Sequence, residues 1–168
     1  MLRRVTLLAA VVAVLSMAVA GAAWAANKYG TIHDDRIVGT AASDQIYGLP
    51  GNDTLIGRDG NDYLNGGTNR DLLKGGAGDD FLVGVNGGDR LRGGGDEDVL
   101  FGGAGPDILL GGSSDDRVNG QDGKTGNDFV AGGSGTDDTC YADSEDEIDF
   151  GTCENVNVGG TGGPGAAR

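Results

Sequence analysis

The stretch "GGAGDDFLVGVNGGDRLRGGGDEDVLFGGAGPDILLGG", residues 75–112, is rich in glycine and aspartate, two residue types that disfavour regular strands and helices. Their order supplies what their chemistry lacks. Glycine stands at Gly75, Gly84, Gly93, Gly102 and Gly111, one every nine residues. Five residues after each glycine comes an aspartate, and two residues after that an aliphatic side chain.

The same frame extends outward in both directions. Upstream it holds at Gly30, Gly39, Gly48, Gly57 and Gly66, with Asp35, Asp44, Asp53, Asp62 and Asp71 as the matching acids. Across and beyond the quoted stretch the acids are Asp80, Asp89, Asp98, Asp107 and Asp116. A further unit begins at Gly120 and carries three extra residues, so its acid is Asp128; a twelfth begins at Gly132 and is read with Asp137. The aliphatic column runs Ile37, Ile46, Leu55, Leu64, Leu73, Leu82, Leu91, Leu100, Leu109, Val118 and Val130, and Thr139 breaks it. An acidic, hydrophobic-poor chain has the composition of disorder, but disorder gives no reason to keep three columns in register over so long a span.

Three residues around the aliphatic position suit a short strand that sends one side chain to one face and its neighbours to the other. Glycines at the first, second or fourth positions allow a tight reversal. One unit has a single aliphatic to bury, so units must stack.

The consensus G-x-x-G-x-D-x-U-x, fullest in "GGAGDDFLV" and "GGAGPDILL", resembles the haemolysin-type calcium-binding repeat of the RTX family from Gly30 to about Cys140. The resemblance implies an all-β fold, a right-handed parallel β-roll of about twelve nonapeptide repeats with two units per coil. That gives about six coils and, at about 4.8 Å per strand, a roll about 29 Å long. Units n and n+2 would then lie above one another, bringing Asp80 near Asp98 and Asp71 near Asp89.

Unpaired carboxylates stacked in this way repel each other, and a divalent cation between them reverses the sign. Calcium suits the site, because it accepts six to eight oxygens, backbone carbonyls included, at about 2.3–2.6 Å. Soft metals find little here: His33 is the sole histidine and reads as a surface residue. The expected metal residues are Asp53, Asp62, Asp71, Asp80, Asp89, Asp98, Asp107, Asp116, Asp128 and Asp137. With them go Gly51, Gly60, Gly76, Gly78, Gly87, Gly94, Gly103, Gly105, Gly123 and Gly133, for several calcium ions in all. Asn69 and Asp96 replace the fourth-position glycine in two units, and asparagine tolerates the conformation required. "GTIHDDRIV" and "GTAASDQIY" lack both inner glycines and read as an N-terminal cap with weak or no calcium.

The N-terminus has Arg3 and Arg4, an apolar run from Val5 to Ala20 and the small-x-small triplet Ala23-Trp24-Ala25, a signal peptide expected to be cut after Ala25, with Ala26 the second choice. A membrane anchor is the alternative. Without residues 1–25 the chain keeps 10 basic and 26 acidic residues, a net charge of −16. That balance excludes nucleic acid as a partner and makes a phosphate-cradling glycine loop unattractive. No long apolar segment remains for membrane insertion.

Cys140 and Cys153 form an even pair in an exported chain, and a disulfide between them fits an oxidising compartment. By similarity to cysteine-containing ends of related proteins, it would close a C-terminal cap. The expected organisation is signal peptide 1–25, leader 26–29, calcium-binding β-roll 30–140, cap 141–157 and a flexible glycine-rich tail 158–168.

In such a roll Phe81, Val83, Val99 and Phe101 would lie on adjacent strands of the same sheet, either as a contact patch or as plain β-propensity. With no H-E-x-x-H or G-x-S-x-G motif and no room for a catalytic domain, the chain reads as a non-enzymatic, secreted or surface-associated calcium-binding protein. An extracellular adhesion or matrix-docking module is the alternative, and a detached accessory module of a secreted hydrolase or toxin a third.

Overall fold

The computed structural model describes residues 25–124 and 127–159. The expected signal peptide, apart from Ala25, and the tail beyond Gly159 lie outside the described residues. Fifteen strands follow in chain order: β1 (Asn27–Tyr29), β2 (Arg36–Val38), β3 (Gln45–Pro50), β4 (Thr54–Asp59), β5 (Tyr63–Thr68), β6 (Leu72–Ala77), β7 (Phe81–Asn86), β8 (Arg90–Gly95), β9 (Val99–Ala104), β10 (Ile108–Ser113), β11 (Arg117–Asn119), β12 (Phe129–Ser134), β13 (Thr139–Asp143), β14 (Glu147–Ile148) and β15 (Asn155–Gly159). Among the described residues there is no helix.

Odd strands form one sheet of eight and even strands a second of seven, every pairing parallel. Each coil therefore contributes one strand to each sheet, as two stacked nonapeptides require, and the solenoid has about seven turns. The extra turn beyond the expected six comes from outside the repeats. Asn27–Tyr29, read as a leader, pairs with β3, and the segment read as a cap supplies β14 against β12 and most of β15 against β13. Val158 and Gly159, read as the start of a flexible tail, instead pair with Ala142 and Asp143 and complete β15.

Period-two alternation decides what is inside. Ile46, Leu55, Leu64, Leu73, Leu82, Leu91, Leu100, Leu109, Val118 and Val130 are almost wholly buried and form a thin file between the sheets, while their strand neighbours face outward. The last unit corrects the sequence frame. Cys140, not Thr139, occupies the aliphatic column, with Val118 opposite Cys140 in the β11/β13 register. The turn before it holds one residue more than the period allows, so the core reads one position later.

Cys140 is disulfide-bonded to Cys153, with 5.8 Å between their Cα atoms. The bond ties the inside of β13 to the loop before β15, so it closes the final coil from within the core column. On the outer face of the eight-stranded sheet the rings of Tyr29, Tyr47, Tyr63, Phe81 and Phe101 follow one another at 5.0–5.6 Å between centroids. Phe81 faces Val99 and Val83 faces Phe101 across β7 and β9, so the four residues singled out in the sequence do share one surface.

Candidate metal centre

In the eight units that begin at Gly48 through Gly111 each turn has two left-handed residues, at the second and fourth positions; the first two units have none, and the last two have one each. Gly67, Gly76, Gly94, Gly103, Gly112 and Gly133 have positive φ at the second position; Gly51, Gly60, Gly78, Gly87, Gly105 and Gly123 have it at the fourth. Where the sequence offers no glycine other side chains adopt this region: Leu49, Arg58 and Val85, which dislike it, at the second position, and Ser114 together with Asn69 and Asp96, whose side chains tolerate it, at the fourth. The turn geometry is thus imposed by stacking, and glycine merely makes it cheap.

This geometry aims backbone carbonyls at the adjacent coil. A Cβ placed on Gly78 would lie 2.8 Å from the carbonyl oxygen of Gly60, and one on Gly51 would lie 2.5 Å from that of His33. At the second position the Arg58 carbonyl would meet a side chain on Gly76 in the same way. Gly123 is the exception, with nothing within 4 Å, because it sits in the coil lengthened by three residues.

Aspartates run through the turns as a ladder. Asp53 Oδ1 accepts the amide N–H of Asp35 at 2.8 Å, Asp62 Oδ1 that of Asp44 at 2.7 Å, and the pattern repeats through Asp71, Asp80, Asp89, Asp98, Asp107 and Asp116. Across the longer coils Asp107 N–H donates to Asp128 and Asp116 N–H to Asp138. Asp137 is therefore not the ladder residue of the twelfth unit; it is exposed, while Asp138 is fully buried. Beyond the repeats, Asp146 and Glu154 accept the amides of Asp128 and Asp138 and finish the ladder. Sequence periodicity could not reveal these two, since neither stands in a repeat.

The second oxygen of each carboxylate separates the middle of the roll from its ends. Oδ2 of Asp53, Asp62, Asp71, Asp80, Asp89, Asp98, Asp107, Asp116 and Asp128 is buried with no hydrogen-bond partner. At the N-terminal end the same atom is satisfied: Thr31 donates its amide and hydroxyl to Asp35 Oδ2, and the Thr40 amide donates to Asp44 Oδ2. At the C-terminal end Gly135 N–H donates to Asp138 Oδ2. Threonine at the second position thus does in the first two units what the middle units leave undone.

Where the orphaned oxygen sits, there is no room for a side chain. A Cβ on Gly66 would stand 2.5 Å from Asp71 Oδ2 and 2.9 Å from the carbonyl oxygen of Gly84, so a carboxylate and a carbonyl oxygen converge on the first-position glycine. Leaving such a group unpaired is costly. Burial, partly offset by the amide bond from the preceding coil, raises the carboxyls of Asp62, Asp89 and Asp128 to about 6, of Asp71, Asp80, Asp107 and Asp116 to about 7, and of Asp98 to about 8; Asp53 is raised as well.

These donors fit a hard cation. Among the described residues no three acidic, histidine or cysteine side chains converge, so an ion held here would need backbone carbonyls beside one or two carboxylates. Calcium accepts that mixture and magnesium and soft metals suit it poorly. Bound calcium would supply the positive charge that turns the carboxylate stack from repulsive to attractive.

The model of the RTX calcium-binding nonapeptide repeat matches the chain in four copies, at residues 29–64, 56–91, 92–124 and 122–144. No curated protein matches it.

Proposed function

The chain belongs to the RTX calcium-binding nonapeptide repeat family, whose repeats bind Ca2+, and from that premise we propose that it is a secreted, non-catalytic protein whose folding is coupled to external calcium. The observation that carries this reading is the file of nine aspartates, Asp53 to Asp128, each buried with one oxygen orphaned. A folded turn without metal holds either an unpaired buried charge or a proton taken up at a cost. A cation that neutralises it contributes its binding free energy to folding.

In a calcium-poor producing cell the acidic chain stays open and exportable, and outside it closes. The Cys140–Cys153 disulfide fits an oxidising destination. The metal residues are Asp53, Asp62, Asp71, Asp80, Asp89, Asp98, Asp107, Asp116 and Asp128, with carbonyls of the turn glycines completing each shell. Asp35, Asp44 and Asp138 serve as metal-independent ends.

Far-UV circular dichroism of residues 26–168, titrated with calcium after chelation and with magnesium as control, tests this reading. A calcium-specific gain of β-structure is expected. A roll already formed in chelator at neutral pH, or one that stays unfolded in millimolar calcium, would overturn it.

A further inference from the structure

The outer faces of the two sheets differ in chemistry. The eight-stranded sheet carries its aromatic file. The seven-stranded sheet carries Arg36 on β2, Arg58 on β4, Lys74 on β6 and both Arg90 and Arg92 on β8, all exposed. Half of the 10 basic residues outside 1–25 thus lie on one face of a chain with 26 acids.

None of these five pairs with an acid: among the described residues the one ion pair is Lys124 with Asp122. Strands β6, β8, β10 and β12 contain no acidic residue. Within this sheet the acids are Asp59, at the turn end of β4, and Glu147 on the terminal strand β14, in the row of Phe129, Ile108 and Arg90; the others sit in the turns, and the face over β6 and β8 is left cationic.

Register places these charges together. Lys74 lies beside Arg92, and Leu72 beside Arg90, across β6 and β8. Between the cations runs a groove lined by Ile56, Arg58, Lys74 and Arg92 and floored by glycine backbone at Gly75, Gly76, Gly93 and Gly94. One strand further on, Ile108 and Leu110 stand beside Arg90 and Arg92 and are 36% and 39% exposed. A flat face with cations over one half and bare aliphatics beside them suits a surface that is anionic outside and apolar just beneath.

We propose that the outer face of the seven-stranded sheet docks on an anionic lipid bilayer, with Lys74, Arg90 and Arg92 on headgroup phosphates and Ile108 and Leu110 at the acyl boundary. The aliphatic pair favours lipid over a soluble acidic polymer, which offers charge but nothing for Ile108 and Leu110 to enter. This inference rests on the calcium reading in one respect. A net charge of −16 repels an anionic surface, and eight bound calcium ions would cancel it, so docking follows metal loading. Adsorption here is peripheral; no described helix is long and apolar enough to cross a membrane.

Residues 26–168 contain every strand of both sheets, and are tested by co-sedimentation with phosphatidylcholine vesicles with and without phosphatidylglycerol, in saturating calcium. Circular dichroism of the same samples reports the calcium transition separately. Binding is expected to the phosphatidylglycerol vesicles alone. The triple variant K74Q/R90Q/R92Q should bind about a hundredfold more weakly, at roughly fivefold per cation, with its calcium transition intact. I108S/L110S should lose vesicle binding too.

Equal binding by the triple variant would show calcium bridging from the turn acids and overturn the proposal. Capture of soluble polygalacturonate by wild type, undiminished in I108S/L110S and competing fully with vesicles, would assign the face to an acidic glycan instead. A missing calcium transition sinks the folding reading; vesicle binding that then persists and still depends on Lys74, Arg90 and Arg92 leaves the lipid assignment standing.

Discussion

Asp71 Oδ1 accepts the backbone N–H of Asp53 from the neighbouring coil at 2.8 Å, while Asp71 Oδ2, equally buried, accepts nothing. Its first oxygen fixes the stacking of coils, and under the calcium reading proposed above its second is the one that takes a cation. The amide form would keep the first job and lose the second, which makes the two separable by mutation.

Asp98→Asn should therefore leave the coil stack in place and weaken calcium binding. The Asp80 amide keeps an acceptor in the side-chain carbonyl, but the charge is gone. The calcium midpoint should rise roughly tenfold, equivalent to about 1.4 kcal/mol, and isothermal titration should show fewer ions bound. An unchanged titration would remove Asp98 from the metal set.

Asp44→Asn should behave differently. Asp44 has Thr40 as a hydrogen-bond partner and belongs to the N-terminal end. Calcium stoichiometry should not change, and Thr40→Val should cost about 1 kcal/mol of thermal stability through the lost hydroxyl. A fall in bound calcium on either substitution would make the first units metal sites rather than caps.

The metal-free roll should gain stability in acid. The carboxyls of Asp62 to Asp128 titrate at about 6 to 8 in the folded chain, above the ordinary aspartate value of 3.8. Between those values the folded state holds more protons than the unfolded state, so stability falls as pH rises from about 4 to about 8. Calcium competes with the same protons, so its affinity should run the opposite way. Circular dichroism in chelator should show more β-structure at pH 5 than at pH 8.5, and calcium addition should release protons. Metal-free structure that increases with pH would contradict this.

Val85 occupies a second-position turn site at φ 89°, between Gly67 and Gly103 in register. A β-branched residue there is strained. Val85→Gly should raise the stability of the calcium-loaded roll by up to about 1 kcal/mol, the strain relieved less the entropy glycine adds to the unfolded chain. Gly76→Val should do the reverse, since its Cβ would strike the Arg58 carbonyl. Thermal denaturation of both variants checks the pair.

Reduction of Cys140–Cys153 should lower stability by about 3 kcal/mol, the chain-entropy value for a loop of this size. Hydrogen exchange should locate the loss in β13 to β15, with the coils around Leu64 and Leu82 protected as before. Uniform loss of protection along the roll would mean that the final coil holds the whole solenoid together.

The nine-residue period by itself determined that short strands stack, the file of aliphatics from Ile37 to Val130 and the run of turn aspartates, because each unit repeats the same local demands: a glycine turn, an acid and one buried aliphatic. The parallel roll with two units per coil was what the resemblance to the RTX repeat implied. Where the period holds, residue number and spatial position are interchangeable. Tertiary structure alone decided what happens where the period slips. After Asp107 the spacing between ladder partners grows from 18 residues to 21 and then 22, and only the hydrogen bonds of the stack show that Asp138 and Cys140, rather than Asp137 and Thr139, turn inward. It also decided that Thr31, Thr40 and Gly135 satisfy the end carboxylates, that Asp146 and Glu154 complete the ladder, and that unpaired cations gather on one sheet. Each of these depends on atoms brought together between coils, a distance along the chain that no single repeat records.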